Sequence, residues 1–289
     1  MTLNLYGLNY TENLFISPGM KDKDYMKIVT IDGPASSGKG TVAKIIAAKL
    51  GFNYLDSGAI YRVVGLLAYR NNLDYNLDSD DVNNLNDADS VDDANNAEDA
   101  DYVAVNIDSD NSTNNNNHNN HNNHSAINKL LQLMDNTSIE FTTNNGGVTI
   151  NGENVSDIIR SEKVGMLASK FSSVAIIRQK LLQFQRNFAH DPGLVTDGRD
   201  MGSVVFPDAA LKVYLTASPE IRAQRRLLQL QRSGESVTIT PVLRDILARD
   251  AQDSLRKAAP LKFDESFKVL DNSNITIDET VDIIISWLN

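Results

Sequence analysis

The stretch "IDGPASSGKGTVAKIIAAKLG", residues 31–51, constrains the fold more than any other part of the chain. The run "KIVTI" (27–31) is short, apolar and β-branched, which predicts a buried strand entering a turn at Asp32-Gly33. From Thr41 the period changes. Val42, Ile45, Ile46 and Leu50 fall on one helical face, and Gly51 stands where a C-cap glycine belongs. Strand, glycine-rich loop and helix bring several backbone N–H groups and the positive end of the helix dipole to one point. That is an anion site for a polyphosphate. Gly33-x4-Gly38-Lys39 has the spacing of a phosphate loop, but Gly40 follows the lysine and the hydroxyl arrives only at Thr41. The plain alternative is a tight turn with no ligand, and the flanking strand and helix weigh against it. The expected loop is Gly33, Pro34, Ala35, Ser36, Ser37, Gly38, Lys39, Gly40 and Thr41. Lys39 would reach the β- and γ-phosphates of a nucleotide, and the Thr41 hydroxyl would meet Mg2+, mainly through water.

The rest of the chain repeats the alternation. "FNYLD", "GLVTDGRD", "ALKVYLTAS" and "FKVLDNSN" read as strands. "SGAIYRVVGLLAYRNN", "IRSEKVGMLASKFSS", "VAIIRQKLLQFQRNFA", "SPEIRAQRRLLQLQRSG" and "IDETVDIIISWLN" read as helices. Alternating elements predict a doubly wound α/β core with a parallel sheet, of the P-loop NTPase type. "SIEFTTNNGGVTINGENV" alternates around Asn-Gly-Gly and predicts a hairpin inserted into that core. No internal repeat is visible.

The net charge of −11 misleads unless it is located. Twelve Asp/Glu and no Lys or Arg fall between Asp78 and Ala126, so the remainder carries +1. That segment is rich in Asn and poor in large apolar side chains. It cannot bury enough surface to offset backbone entropy of roughly 1–2 kcal/mol per residue, so residues 78–128 are expected to be disordered. His118, His121 and His124 have a spacing that could bind a metal, and repeat expansion is the plainer origin. His190 gets no role. There is no cysteine, hence no disulfide framework or thiolate chemistry. Residues 1–26 lack the basic and apolar regions of a secretory signal and read as a poorly ordered extension. No apolar run approaches the roughly 18 residues that span a bilayer, and no basic patch carries interleaved aromatics. A cytoplasmic protein without membrane or nucleic-acid partners is expected.

Further residues narrow the chemistry. The Gly-Lys-Gly-Thr ending resembles the loop of nucleoside monophosphate kinases rather than that of GTPases. "LDSGAIYR" (55–62), "DGRDMGSVVFPDA" (197–209), "RAQRRLLQLQ" (222–231) and "RDAQDSLRKAAPL" (249–261) together resemble bacterial-type cytidylate kinases. The resemblance covers about residues 27–77 and 129–289, or 212 of 289 positions. It implies a kinase core at 27–77 and 166–289, a lid at about 218–240 and an NMP-binding insert at 129–165. The implied reaction moves the γ-phosphoryl group of ATP to CMP or dCMP, with Mg2+, in a monomer.

By that resemblance, Arg62, Arg199 and Arg256 hold the acceptor phosphate, with Ser57 nearby. Arg222, Arg225 and Arg226 belong to a lid over the donor phosphates. Ser169, Arg178 and Asp200 read the base, while Arg249 and Asp253 hold the ribose. Lys39, Arg199 and the three lid arginines are then the catalytic set. The chemistry agrees without the family. An acceptor phosphate is already an anion, so no general base is required, and arginine forks supply positioning and charge. Plainer readings stay open for each residue. An arginine can be a surface ion pair, Asp200 can serve only to orient Arg199, and Arg249 and Asp253 at i, i+4 can pair with each other. A kinase for UMP or AMP, and a catalytically silent nucleotide-binding sensor or scaffold, are the alternatives.

Overall fold

The computed structural model describes residues 2–4, 27–73, 117–142, 147–232, 234–255, 261 and 263–288. The first half contains β1 (Thr2–Asn4), β2 (Ile28–Asp32), α1 (Lys39–Leu50), β3 (Asn53–Asp56) and α2 (Ser57–Arg70). Next come α3 (Asn117–Asp135), β4 (Ser138–Thr142), β5 (Gly147–Ile150) and β6 (Glu153–Asn154). The remainder holds α4 (Glu162–Phe171), α5 (Ala175–Arg186), β7 (Leu194–Gly198), β8 (Leu211–Thr216), α6 (Pro219–Arg232), α7 (Ile239–Leu255), β9 (Phe267–Asp271) and α8 (Ile277–Ser286).

Five strands form a parallel sheet in the order β3-β7-β2-β8-β9, with the phosphate-loop strand β2 at its centre. The period-2 pattern of each strand decides which side chains face which layer. Val29, Ile31, Tyr54, Val195, Val213 and Leu215 pack with α1 and with Val281 and Ile284 of α8. Leu55 and Leu194 face the other way, into a larger core shared with α2, α3, α4 and α5. The crossovers bring the C-terminal ends of β2, β3 and β7 together, with Asp56 level with Asp197 and Asp32 level with Gly198. In open α/β sheets ligands bind in the crevice outside such strand ends.

The helix starting at the phosphate loop ends as its sequence predicts. Gly51 adopts φ 69° and its N–H reaches back to the carbonyls of Ala47 and Ala48. The predicted hairpin forms from β4 and β5, joined by β6 and β1 in a second, antiparallel sheet. Two expectations need correction. Thr2–Asn4, assigned to a poorly ordered extension, pairs with β4; residues 5–26 lie outside the described residues. Residues 117–128, assigned to disorder, form the first part of α3. Ala126, Ile127, Leu130 and Met134 of that helix are buried in the larger core. Once that end is docked, extending the helix through the Asn tract adds one hydrogen bond per residue without a second nucleation cost. His118, His121 and His124 fall within this extension. Residues 74–116, which carry most of the acidic stretch, lie outside the described residues.

Past β7 the chain makes a π-helical turn, Met201–Val205. Its first two amides donate to the two carboxylate oxygens of Asp32, at 2.9 Å from Met201 and 2.8 Å from Gly202. Burial pushes the Asp32 carboxyl up to about 6, against the pull of these two N–H groups. Asp32 therefore anchors the segment carrying Arg199 and Asp200 to the base of the phosphate loop.

Candidate active site

The phosphate loop is shaped by what its carbonyls meet. Ser36 and Gly38 take left-handed conformations, φ 61° and 90°. A Cβ on Gly33 would stand 2.0 Å from the Leu215 carbonyl oxygen, so only glycine fits there. Cationic side chains hold four of the loop's carbonyls. Arg199 Nη1 donates to Gly33 O at 2.8 Å and Lys39 Nζ to Pro34 O at 3.1 Å. Arg222 Nη1 donates to Ala35 O at 3.3 Å, and Arg225 Nη1 to Ser37 O at 3.1 Å. Asn272 Nδ2 adds a second donor to Ser37 O at 3.0 Å. Carbonyls held by cations orient the peptide units so that the loop's amides can meet a polyphosphate, although the Ser37 N–H also donates to Pro34 O at 3.5 Å.

This geometry divides the three arginines of α6. Arg222 is buried and spends its whole fork. Nε donates to Ala217 O at 2.9 Å, while Nη1 and Nη2 grip Asp250 of α7 at 2.9 and 2.5 Å. Arg225 is tied to Asn272, with 2.9 Å contacts to its side-chain and backbone oxygens. Only Arg226 lines the cleft. In this arrangement Arg222 and Arg225 bind the loop carbonyls of Ala35 and Ser37.

The cleft, of about 430 Å³, runs from Ala35, Ser36 and Gly38–Thr41 to Ser169, Arg178 and Asp200. Arg62, Arg226 and Arg249 also line it, and none of the three forms an ion pair with a described residue. Arg62 donates to Ile159 O at 2.9 Å, and its guanidinium pKa is lowered, first by burial and then by the charges of Arg249, Arg226 and Arg160, against the pull of Asp56. Cations crowded without an ion-pair partner among the described residues favour an anion. Ser57 lines the same wall. Arg199 is instead neutralised by Asp253, Nε to Oδ2 at 2.6 Å, so the i, i+4 pair Arg249–Asp253 does not form. Arg256 lies outside the described residues.

At the far end Arg178 pairs with the buried Asp200 and donates to Ser172 O at 2.9 Å. Its guanidinium stands 5.3 Å from the centre of the Tyr61 ring. Asp200 thus orients Arg178, not Arg199, and the pair places an acceptor next to a donor.

Sequence reasoning passed over Asp56, Tyr61, Asp197 and Gln229, all of which line the cleft. Asp56 and Asp197 stand inside the quoted motifs, at the ends of adjacent strands, and that register is the signal that could have found them. Asp56 Oδ1 caps α2 by accepting from the Ala59 N–H at 3.0 Å. Burial, then the charge of Asp56, pushes the Asp197 carboxyl up to about 7. Lys39 is drawn down to about 8, by burial first and the Arg199 charge second, while Asp197, Asp253 and Asp56 pull the other way.

A stability test follows from Asp197. Its folded pKa lies above the ordinary carboxylate value, so the stability it contributes is complete below about pH 4. That stability is lost as pH rises through about 7. Asp197→Asn escapes the loss, while Asp56 and Asp253 still face Lys39. Without nucleotide or metal, the variant should be more stable than the parent at pH 8, on the order of 2–4 kcal/mol. Thermal melts at pH 5 and pH 8 check this, and the advantage should shrink at the lower pH.

Comparisons with known proteins place the chain among kinases of one family. A family model described as cytidylate kinase matches residues 29–289. A cytidylate kinase of Chromobacterium violaceum is 39% identical over 260 residues, covering 90% of this chain and 94% of the relative. One from Burkholderia multivorans is 41% identical over 260 residues, covering 90% and 92%.

Proposed function

The chain belongs to the cytidylate kinase family, and from that premise we propose how its cleft phosphorylates CMP and dCMP. One observation carries the reading. A phosphate loop with Lys39 faces, across one cleft, the arginines Arg62, Arg226 and Arg249, which have no carboxylate partner among the described residues. Two anions are expected to meet there. ATP lies along the loop amides and Lys39, and the CMP phosphate lies against Arg62 and Arg249. An oxygen of the CMP phosphate attacks the γ-phosphorus. The bond to the β–γ bridging oxygen breaks, and ADP leaves with its electron pair. No base is needed, so catalysis rests on alignment and on the positive charge of Lys39, Arg62 and Arg226. Arg222 and Arg225 contribute by holding the loop, and Arg199 by joining the loop to Asp253 and the ribose side.

The base end favours cytosine. Asp200 accepts from the N4 amino group, with the Ser169 hydroxyl beside it, and Arg178 donates toward N3 and O2. Uracil presents the opposite pattern at positions 3 and 4. The Thr41 hydroxyl with the carboxylates of Asp197 and Asp56 forms an all-oxygen set suited to Mg2+, which keeps several waters and takes few protein ligands. Those residues would hold the ion, which would supply positive charge to offset the charge of the transferring phosphates. No described helix is long and apolar enough to cross a membrane. One chain supplies loop, acceptor wall and base pocket, which fits a monomer working in the cytoplasm on free nucleotides.

An ADP-release assay with CMP, dCMP, UMP and AMP tests the proposal. CMP and dCMP should turn over, with kcat/KM for UMP lower by at least about tenfold, since each well-matched hydrogen-bond pair discriminates by roughly 1–3 kcal/mol. Preference for UMP or AMP would reassign the substrate. Nucleotide binding without turnover would make the chain a sensor.

A further inference from the structure

The Asp197 carboxylate lies over Gly40, so a Cβ there would stand 3.5 and 3.6 Å from its two oxygens and 3.7 Å from the Tyr54 hydroxyl. These are ordinary contact distances, so the carboxylate and the hydroxyl rest against the loop backbone without crowding it. Tyr54, on β3, is itself buried, and its hydroxyl donates to Asp197 Oδ1 at 2.6 Å, the shortened distance of a bond to an ionisable acceptor. Its ring sits beneath Lys44, whose ammonium is 5.4 Å from the ring centre. The tyrosine is therefore fixed on two sides, by strand packing and by this cation, and its one polar atom is given to Asp197.

We propose that Tyr54 is a positioning residue for phosphoryl transfer: its hydroxyl locks the Asp197 carboxylate over Gly40, at the corner where Lys39 and Thr41 meet the phosphates. The inference rests on the kinase reading above. Asp197 stands next to the end of β7, and its terminal torsion is broad, so a carboxylate without a fixed partner can turn its plane toward Lys39 or Arg199 and close an ion pair. The Tyr54 hydroxyl fixes the plane of the carboxylate by donating to Oδ1, while Asp197 lines the cleft. Tyr54 contacts no substrate in this arrangement and acts through Asp197 alone. The fold-level logic is that β3 and β7 are neighbours in register, so a tyrosine two residues before the strand end reaches the carboxylate at the end of the next strand.

Tyr54→Phe removes a single oxygen from a buried site and keeps the ring, its packing and its contact with Lys44. The variant should fold with a melting temperature within a few degrees of the parent. Losing one hydrogen bond to an ionised group should lower kcat about tenfold and leave KM for CMP within about twofold. A second readout does not need turnover: MgATP affinity, measured by calorimetry without CMP, should weaken in Tyr54→Phe while the affinity for metal-free ATP stays unchanged. A double-mutant cycle with Asp197→Ala should be strongly non-additive, because the hydroxyl then has no carboxylate left to position. Unchanged MgATP affinity, additive effects in the cycle, or equal losses with and without Mg2+ would overturn the proposal. If the parent binds MgATP but turns over no nucleoside monophosphate, the kinase reading fails, while the binding arm still judges Tyr54.

Discussion

Lys39→Ala is expected to lower kcat by about a thousandfold, the scale of losing one preorganised charge at the transferring phosphoryl group. The side chain lies at the centre of the site. It donates to Pro34 O and stands among Asp197, Asp253, Asp56 and Arg199. Its ammonium is already costly to keep there, since burial and Arg199 draw its pKa down to about 8. Removing it therefore takes away a strained charge as well as a useful one, and the fold should survive. Circular dichroism and single-turnover phosphoryl transfer on one sample check both parts. Near-normal turnover would remove Lys39 from the chemistry.

Asp200→Ala should act on substrate and stability together. Asp200 is buried and paired with Arg178, so the substitution leaves a guanidinium inside the protein without its counter-ion. Breaking a buried pair from one side costs about 3–5 kcal/mol. For a chain of this size that is roughly a 10 °C fall in melting temperature. Loss of the N4 acceptor should also raise KM for CMP on the order of ten- to a hundredfold, with KM for ATP little changed. Asp200→Asn separates the two effects, because it keeps the shape and one acceptor oxygen. Equal losses for both nucleotides, measured well below the melting temperature, would mean a collapsed site rather than a lost contact.

How far the sequence reached depends on the distance over which each feature is decided. The loop between β2 and α1, the Gly51 cap and the β4–β5 hairpin are set by neighbours a few residues apart, and there spacing predicts structure well. The Asn tract shows the limit. Composition argues against order, yet Ala126, Ile127, Leu130 and Met134 dock on the core and carry the helix back to Asn117. Packing thus outweighs weak propensity. The arginines of α6 show it again. Arg222, Arg225 and Arg226 follow one another on a helix, and nothing local says which of them faces a phosphate.

The sequence by itself determined that this chain builds a phosphate loop on a parallel α/β sheet, and that its motifs are those of a cytidylate kinase. Glycine placement, β-branched runs and helical period act through local sterics and hydrogen bonding, which spacing encodes directly. Only the tertiary structure decided how the charges are shared. Arg222 goes to Asp250 and the Ala35 carbonyl, Arg225 to Ser37 and Asn272, Arg199 to Asp253, and Arg178 to Asp200. Arg62, Arg226 and Arg249 are left facing the cleft. The reason is that the energy of an ion pair depends on separation in space and on desolvation, and both exist only after β2, β7, α6 and α7 have packed.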